Sequence, residues 1–395
     1  MTVHIGRLQK IGFGRESVAS GTEAAASAWL PKREGGLTPV IETVDNENAY
    51  GSIVKLRDTQ AAKESTDIAI GGVIDDKTFG HMLMAALGTT YASVKIPVTG
   101  VTGTFAEGEV VTESVSTATA TVRRVDVSGG AGTLYVVPVS GTLTGGQTLT
   151  GGTSSATATG GTLTVGPSAG RSHLFRLLNS NNHPSYSFFE SNPIGDFKAL
   201  YCMMDELDIE VVVGQYATFT AKFQGKKVAT ATTLTPSFVT ENPFLAKFAT
   251  FKYASAFSGL GAASAVALER FKLTIKKNLE LIQAFGSNDI NSIHNKAFEV
   301  SGDFDLKYDA DTIRALVSAS TSEAFRLTLA NTDVALGTTN PTLQIDIPQA
   351  GFTEWSKNTD NDGIIRQTVG FVAEYNIDRS MSMEAVLINA QTTAY

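Results

Sequence analysis

"AFEVSGDFDLKYD", residues 297–309, places Phe298, Val300, Phe304, Leu306 and Tyr308 on one side of an extended chain and Glu299, Asp303, Asp305 and Lys307 on the other. One apolar and one charged face at a period of two describes a strand lying on a core. The next residues, "DADTIRALVSAS", change period, because Ile313, Leu316 and Val317 fall on one stripe of a short helix. In "FKLTIKKN", just upstream, Phe271, Leu273 and Ile275 share a face, and "FRLTLAN", "LQIDIPQ" and "IIRQTVGFVAEYN" supply further strands.

The first part of the chain repeats this order. "IVKLRD" and "DIAIGGVI" alternate as strands, with a polar loop between them. "DDKTFGHMLMAALG" then reads as a helix with Asp75 or Asp76 at its start, Phe79, Met82, Leu83 and Leu87 at helical spacing, and Gly88 at its end. "HLFRLLN", "ALYCMMDELDIEVVVG" and "QYATFTAKFQGKKV" follow as strands, the last two joined at Gly214, and 229–265 reads as a connector. Each half thus gives a strand and polar loop, a short Asp-led helix, another strand and a long hairpin. The expected fold is mainly β, with β-sandwich or barrel-forming sheets and one short helix per half. Residues 1–96 with 168–235 form one domain, 236–395 its duplicate, and 97–167 an inserted module.

That module is Thr/Gly-rich, and no Lys, Arg, Asp or Glu occurs from Val127 to Gly170. Within it "GTFAEGEVVTESVSTATAT", 103–121, returns as "GTLTGGQTLTGGTSSATAT", 141–159, with nine of nineteen positions identical. Glycine-punctuated β-branched runs of this kind read as two similar hairpins packed into one β-module.

Over the 395 residues, 42% are apolar, 18% are charged and the formal charge is −8. No basic stripe suited to gripping phosphates is present. The single cysteine, Cys202 in "LYCMM", reads as a buried structural thiol, and no run approaches membrane-spanning length. Catalytic and metal patterns fail in turn. "NTDNDG" (358–363) begins like a calcium loop, but Val369 stands where a bidentate Glu is required. Asp303 and Asp305 fall on a solvent face while Asp309 and Asp311 start a helix. His4, His81, His173, His183 and His294 lack ligand spacing, and "GFGRES" is not a phosphate loop. The residues call for no enzyme and no cofactor.

"FKLTIKKNLE", "AFEVSGDFDLKYD", "LQIDIPQAGF", "IIRQTVGFVAEY" and "MEAVLINAQTTAY" resemble the tail tube proteins of long-tailed bacteriophages, and "IGFGRESVASGTEAAASAWLP" is similar to that family's opening. The twin stretch is similar to a β-repeat found in phage virion proteins. The resemblance implies a β-sandwich with a flanking helix that assembles into rings. The rings stack into a virion tail tube built in the host cytoplasm, with tape-measure, tail terminator and tail-tip or baseplate proteins as partners. DNA passes through the lumen without specific binding, and no membrane is involved. The family ring commonly has six tube domains, so a duplicated chain would form trimeric pseudo-hexamers; six chains per ring is the alternative. A capsid decoration protein and a surface-adhesion or carbohydrate-binding β-protein are the rival readings, the last poorly supported by two tryptophans, Trp29 and Trp355.

Two polar loops, 56–67 and 284–295, are expected to carry ring-to-ring contacts, through Arg57, Asp58, Gln60, Lys63 and Glu64 in the first and Phe285, Asn288, Asp289, Asn291 and His294 in the second. The 97–167 module is expected to project outside the tube as a loop insertion whose removal leaves assembly intact.

Overall fold

Strands carry more than half of the chain in the computed structural model, which describes residues 4–17, 21–48, 50–163, 171–337, 339–358, 363–391 and 395. The first segment forms β1 (Lys10–Arg15), β2 (Ala28–Leu30), β3 (Lys32–Asn46), β4 (Asp58–Val73), α1 (Phe79–Leu87) and β5 (Gly88–Thr102). Next come β6 (Val110–Glu113), β7 (Thr119–Ser128), β8 (Ala131–Ser140), β9 (Thr148–Gly151) and β10 (Thr157–Gly160). They are followed by β11 (Arg171–Leu177), β12 (Tyr186–Asn192), β13 (Gly195–Val212), β14 (Thr218–Gly225) and β15 (Ala229–Thr230). The remainder forms β16 (Ala249–Ala254), β17 (Ala265–Val266), β18 (Leu268–Lys276), β19 (Glu280–Gln283), β20 (Ile290–His294) and β21 (Glu299–Lys307). It ends with α2 (Thr312–Ser318), β22 (Glu323–Ala330), β23 (Thr342–Lys357), β24 (Arg366–Ala373) and β25 (Glu384–Asn389).

The stretch at 297–309 becomes β21, in the middle of an antiparallel run ordered β3–β4–β14–β13–β18–β21–β24–β23. One face of the run is apolar and buried, through residues such as Ile70, Phe219, Ile209, Leu273, Phe304 and Phe371. The other face is polar. Over the apolar face lies a second layer, β5–β11–β25–β23–β22–β16, which takes the first half of β23 while the run takes the second. Phe251 and Phe325 from that layer meet Phe271, Phe304 and Phe371 with ring centroids 5.2–6.0 Å apart. One continuous core fills the space between, and α1 enters it with Phe79, Met82, Leu83 and Leu87 fully buried. Asp75 Oδ1 accepts the N–H groups of Lys77 and Thr78 just before α1, and Gly88 ends the helix at φ 87°. Cys202 is buried in this core, as its apolar neighbours suggested.

The twin stretch folds into a closed ring of six strands, β5–β10–β9–β6–β7–β8–β5. Its hairpins β6–β7 and β9–β10 are those expected. The closure adds an approximate two-fold symmetry. Ile96 pairs Leu134 and Thr112 pairs Thr150, and both pairs are separated by the 38 residues that separate the copies. Each copy is completed by the other. Glu109 accepts the N–H groups of Thr153 and Ser154, while Gln147, its counterpart, accepts those of Val115 and Ser116. A Cβ on Gly103 would meet Ala156 at 3.2 Å, and one on Gly141 would meet Ala118 at 3.0 Å; both glycines have positive φ. A separate apolar core that includes Val94, Ile96, Val111, Val122, Leu134 and Leu149 fills the ring.

Several expectations need correction. "IVKLRD" is not a strand, because β4 begins only at Asp58 and 51–57 form a loop. "TQAAKES" is not a loop but part of β4, extended by a continuous ladder to β3 that pairs Asn46 with Asp58 at its far end. Polar composition misled there, since a two-stranded ladder satisfies its backbone without an apolar face. The 229–265 connector contains β16, which pairs β22. Residue 97 lies inside β5, which runs unbroken from the second layer into the ring. Residues 359–362 of "NTDNDG" lie outside the described residues.

Candidate assembly surfaces

The eight-stranded run has a seam in its middle and open edges at its ends. At the seam β13 and β18 pair from Glu206↔Lys276 to Val212↔Arg270, with Leu207, Ile209 and Val211 meeting Ile275, Leu273 and Phe271 on the buried face. β13 enters the seam through a bulge at Asp205, whose carbonyl accepts the Lys277 N–H. β23 carries a matching bulge at Thr353, but beyond it the strand pairs only β24 among the described residues. Asn358 N–H donates to the Arg366 carbonyl, so the alternation of an antiparallel ladder turns the backbone groups of Trp355 and Lys357 to the open side. At the other end β3 pairs β4 alone. Its outward Leu37 N–H goes to Glu190, and Pro39 has no N–H to offer.

The two segments expected to contact the next ring touch each other within the chain. Beyond residue 65, β3 and β4 continue as an arm that passes the end of the sheet. The β19–β20 hairpin lies beside it. Glu64 N–H donates to the Asn288 carbonyl, Asn288 Nδ2 donates to Glu64 Oε1, and Gln283 Nε2 donates to the Ala62 carbonyl. Lys227 joins them, its Nζ 3.3 Å from Glu64 and its N–H bonded to Asp289. Glu64, Asn288 and Asp289 are therefore brought together within one chain. Lys63 pairs Glu42 across the arm at 2.6 Å, and His294 Nδ1 bonds Asn182 at the hairpin base. Arg57, Asp58 and Gln60 stay exposed at the far end of the arm, Asn291 is exposed on β20, and Phe285 stands wholly exposed at the hairpin tip. Sequence reading missed the apolar arm tip, where Tyr50, Ile53, Val54 and Leu56 are all exposed. "SIVKL" was its signal, an apolar run that the strand assignment absorbed.

The six-stranded ring is fixed to the back of the second layer by a buried ionic cluster. Arg124 on β7, with no exposed side-chain surface, reaches Asp346 at 2.6 Å and Glu384 at 3.1 Å. Arg326 bridges Asp346 and Asp126, and Arg176 bridges Glu384 and Glu107. Phe257 lies under Arg379 at 4.0 Å, with Arg124 and Arg326 farther along its ring. Burial opposes the charge on Arg124, but Glu384 and Asp346 outweigh it and hold the guanidinium firmly ionised. The module is therefore not a simple loop insertion, since removing 97–167 would cut β5 and strip Arg124 from both carboxylates.

No group of residues able to hold a metal occurs among the described residues, and none of their helices is long and apolar enough to cross a membrane. His81, His173 and His183 are buried singly, and Asp303 and Asp305 hold Arg270. Trp29 is buried and Trp355 half-buried.

The described residues thus leave strand edges open at both ends of the run and an exposed arm beside it. A model of the phage tail tube protein family matches residues 6–373, and the chain belongs to that family. A comparison with curated proteins found no match. The chain is accordingly a structural component of a virion tail.

Proposed function

We propose that three chains close into a ring, and that stacked rings form the hollow tube through which phage DNA is delivered. One observation carries this reading. β3–β4–β14–β13 and β18–β21–β24–β23 have the same order of hairpin and return strands, and they join at β13–β18 while the ends stay unpaired. Repeating that seam between chains, with the second half of β23 against β3 of the next, leaves no free edge. The strand order supports reading residues 1–96 with 168–235 and 236–395 as two tube domains. Both halves lie in one sheet, which favours three chains over six chains with one half outside.

In this arrangement the polar face lines the lumen, and the six-stranded ring, stacked behind the second layer, faces outward. The arm and the β19–β20 hairpin project past one end of the sheet, where they meet the next ring. Tape-measure, terminator and tip proteins are the further partners, with assembly in the host cytoplasm.

Cysteine cross-linking tests the closure, since Cys202 is buried and adds no background. Thr38→Cys combined with single cysteines across 353–356 should give a ladder that stops at three chains. A ladder reaching six would replace the pseudo-hexamer with a six-chain ring, and tubes without any cross-link would remove the edge contact.

A further inference from the structure

Positive charge on the polar face is concentrated in one strand. β18 presents Arg270, Lys272 and Lys276 there, and both of its neighbours are acidic. On the β13 side, Lys272 stands opposite Glu210 and Lys276 opposite Glu206. On the β21 side the same two lysines face Asp303 and Glu299. Arg270 Nε lies 2.9 Å from Asp305, its Nη2 bonds Asp303, and Glu210 is 3.7 Å away. Glu206 takes Lys276 at 3.6 Å and also Lys222 of β14 at 2.7 Å. The Arg270 and Lys276 side chains are 29% and 49% exposed, so a polyanion could reach them.

Half-exposed pairs of this kind contribute little to stability. They do decide what the surface offers to phosphates. A free Lys or Arg that neutralises a phosphate releases a counterion and adds salt-dependent affinity. A cation already flanked by carboxylates on two strands cannot do so without breaking those pairs and bringing phosphate against carboxylate.

We infer that β18 is a caged cationic strand, and that the carboxylates of β13 and β21 keep the polar face from holding duplex DNA. The inference rests on the lumen reading above for its role, and on the ion pairs alone for its chemistry. Uncaging the strand turns the face into a DNA-binding surface.

The test measures binding of a short fluorescent duplex to the soluble full chain and, separately, to assembled tubes. Wild type should show no salt-dependent binding. Glu210→Gln/Asp303→Asn/Asp305→Asn should bind, and two freed cations, Arg270 and Lys272, predict an affinity loss of about 12-fold between 50 and 200 mM salt. Adding Arg270→Gln/Lys272→Gln/Lys276→Gln should abolish it. A folded triple variant that binds no better than wild type overturns the cage, as does wild type with the same salt slope. If the triple variant does not fold, Asp303→Asn alone decides, with a smaller gain expected and no gain counting against the cage. Tubes are scored independently by negative-stain images. Absence of wild-type tubes would overturn the lumen reading, while binding to the soluble chain would still decide the cage.

Discussion

The six-stranded ring and the eight-stranded sheet are both antiparallel, both built from a repeated strand pattern, and opposite in what they do with their edges. In the ring the two copies pair with each other on both sides, β5 with β8 and β6 with β9, and every ladder closes within the chain. In the sheet the two four-strand groups pair once, at β13–β18, and leave an edge at each end. A repeat related by a two-fold closes on itself; a repeat related head to tail must continue into another molecule. The ring is therefore a finished body, whereas the sheet keeps the open edges that the proposed closure between chains would pair.

Breaking the junction between the two bodies should have the largest effect. Arg124→Met leaves Asp346 and Glu384 buried with fewer cationic partners, and loss of one member of such a cluster costs about 3 kcal/mol or more. A clear fall in unfolding midpoint is expected in denaturant titration. An unchanged midpoint would mean that the ring is merely tethered by β5.

The two-fold itself can be tested at its glycines. Gly141→Ala places a Cβ at φ 71° and within 3.0 Å of Ala118, which should cost about 1–2 kcal/mol. Gly103→Ala, the related change against Ala156, should cost a similar or slightly smaller amount. Tubes should still form from both variants. Strongly unequal costs would show that the symmetry does not extend to the energetics.

The sheet's open edge calls for the converse experiment. Lys357→Pro removes an N–H that points away from β24, so the subunit's own ladder and melting should be little changed. Loss of one intermolecular hydrogen bond, at about 1.4 kcal/mol, raises the concentration needed for assembly roughly tenfold. Sedimentation across a concentration series reads this directly. Equal assembly by wild type and variant would place the contact elsewhere.

Strand alternation made the body of this fold legible, since the core residues of β18, β21 and α1 were all readable from periodicity. The twin stretch was legible as two hairpins. Three features were not. The arm was missed because a polar ladder has no apolar face to give it a period. Closure of the ring was missed because β5 and β8 are related by position and not by shared letters. Arg124 was hidden by a bulge between Val122 and Arg124, which rephases β7, so that Val125 and Val127 pack on the ring's core and the arginine turns out of the ring toward the second layer. For the assembly surface, sequence order gave no sign that Glu64, Asn288 and Asp289, from two distant segments, would satisfy one another.

Acid and base should separate the two regions most gently. In the ring, burial pushes the Glu109 and Glu113 carboxyls up, but it is outweighed. Hydrogen bonds from Ser154 and Ala106 to Glu109, and from Ser116, Thr144 and Gly145 to Glu113, hold both below the usual carboxylate range. Their contribution is present at neutral pH and is lost only as pH falls below about 4.5. The body responds earlier and from both sides. Burial lowers His81, His173 and His183 to about 4, so between the ordinary value of about 6.5 and that point the unfolded chain takes up protons that the folded chain refuses. The body therefore loses stability as pH falls from 6.5. Burial, with Asp75 and Asp76 nearby, raises Glu241 to about 8, which favours its neutral form in the fold and removes stability as pH rises toward 8. Burial lowers Lys277 to about 7, which offsets part of the Glu241 loss above that pH, so the body is expected to be most stable near pH 6.5 with only a shallow decline toward 8. Glu241→Gln keeps the neutral hydrogen-bonding group and should flatten the decline between pH 6.5 and 8 while steepening the acid limb, where Glu241 otherwise opposes the histidines. Thermal unfolding of both proteins at pH 5, 6.5 and 8 decides it: the same change from 6.5 to 8 in both would exclude Glu241 as the source of an alkaline limb.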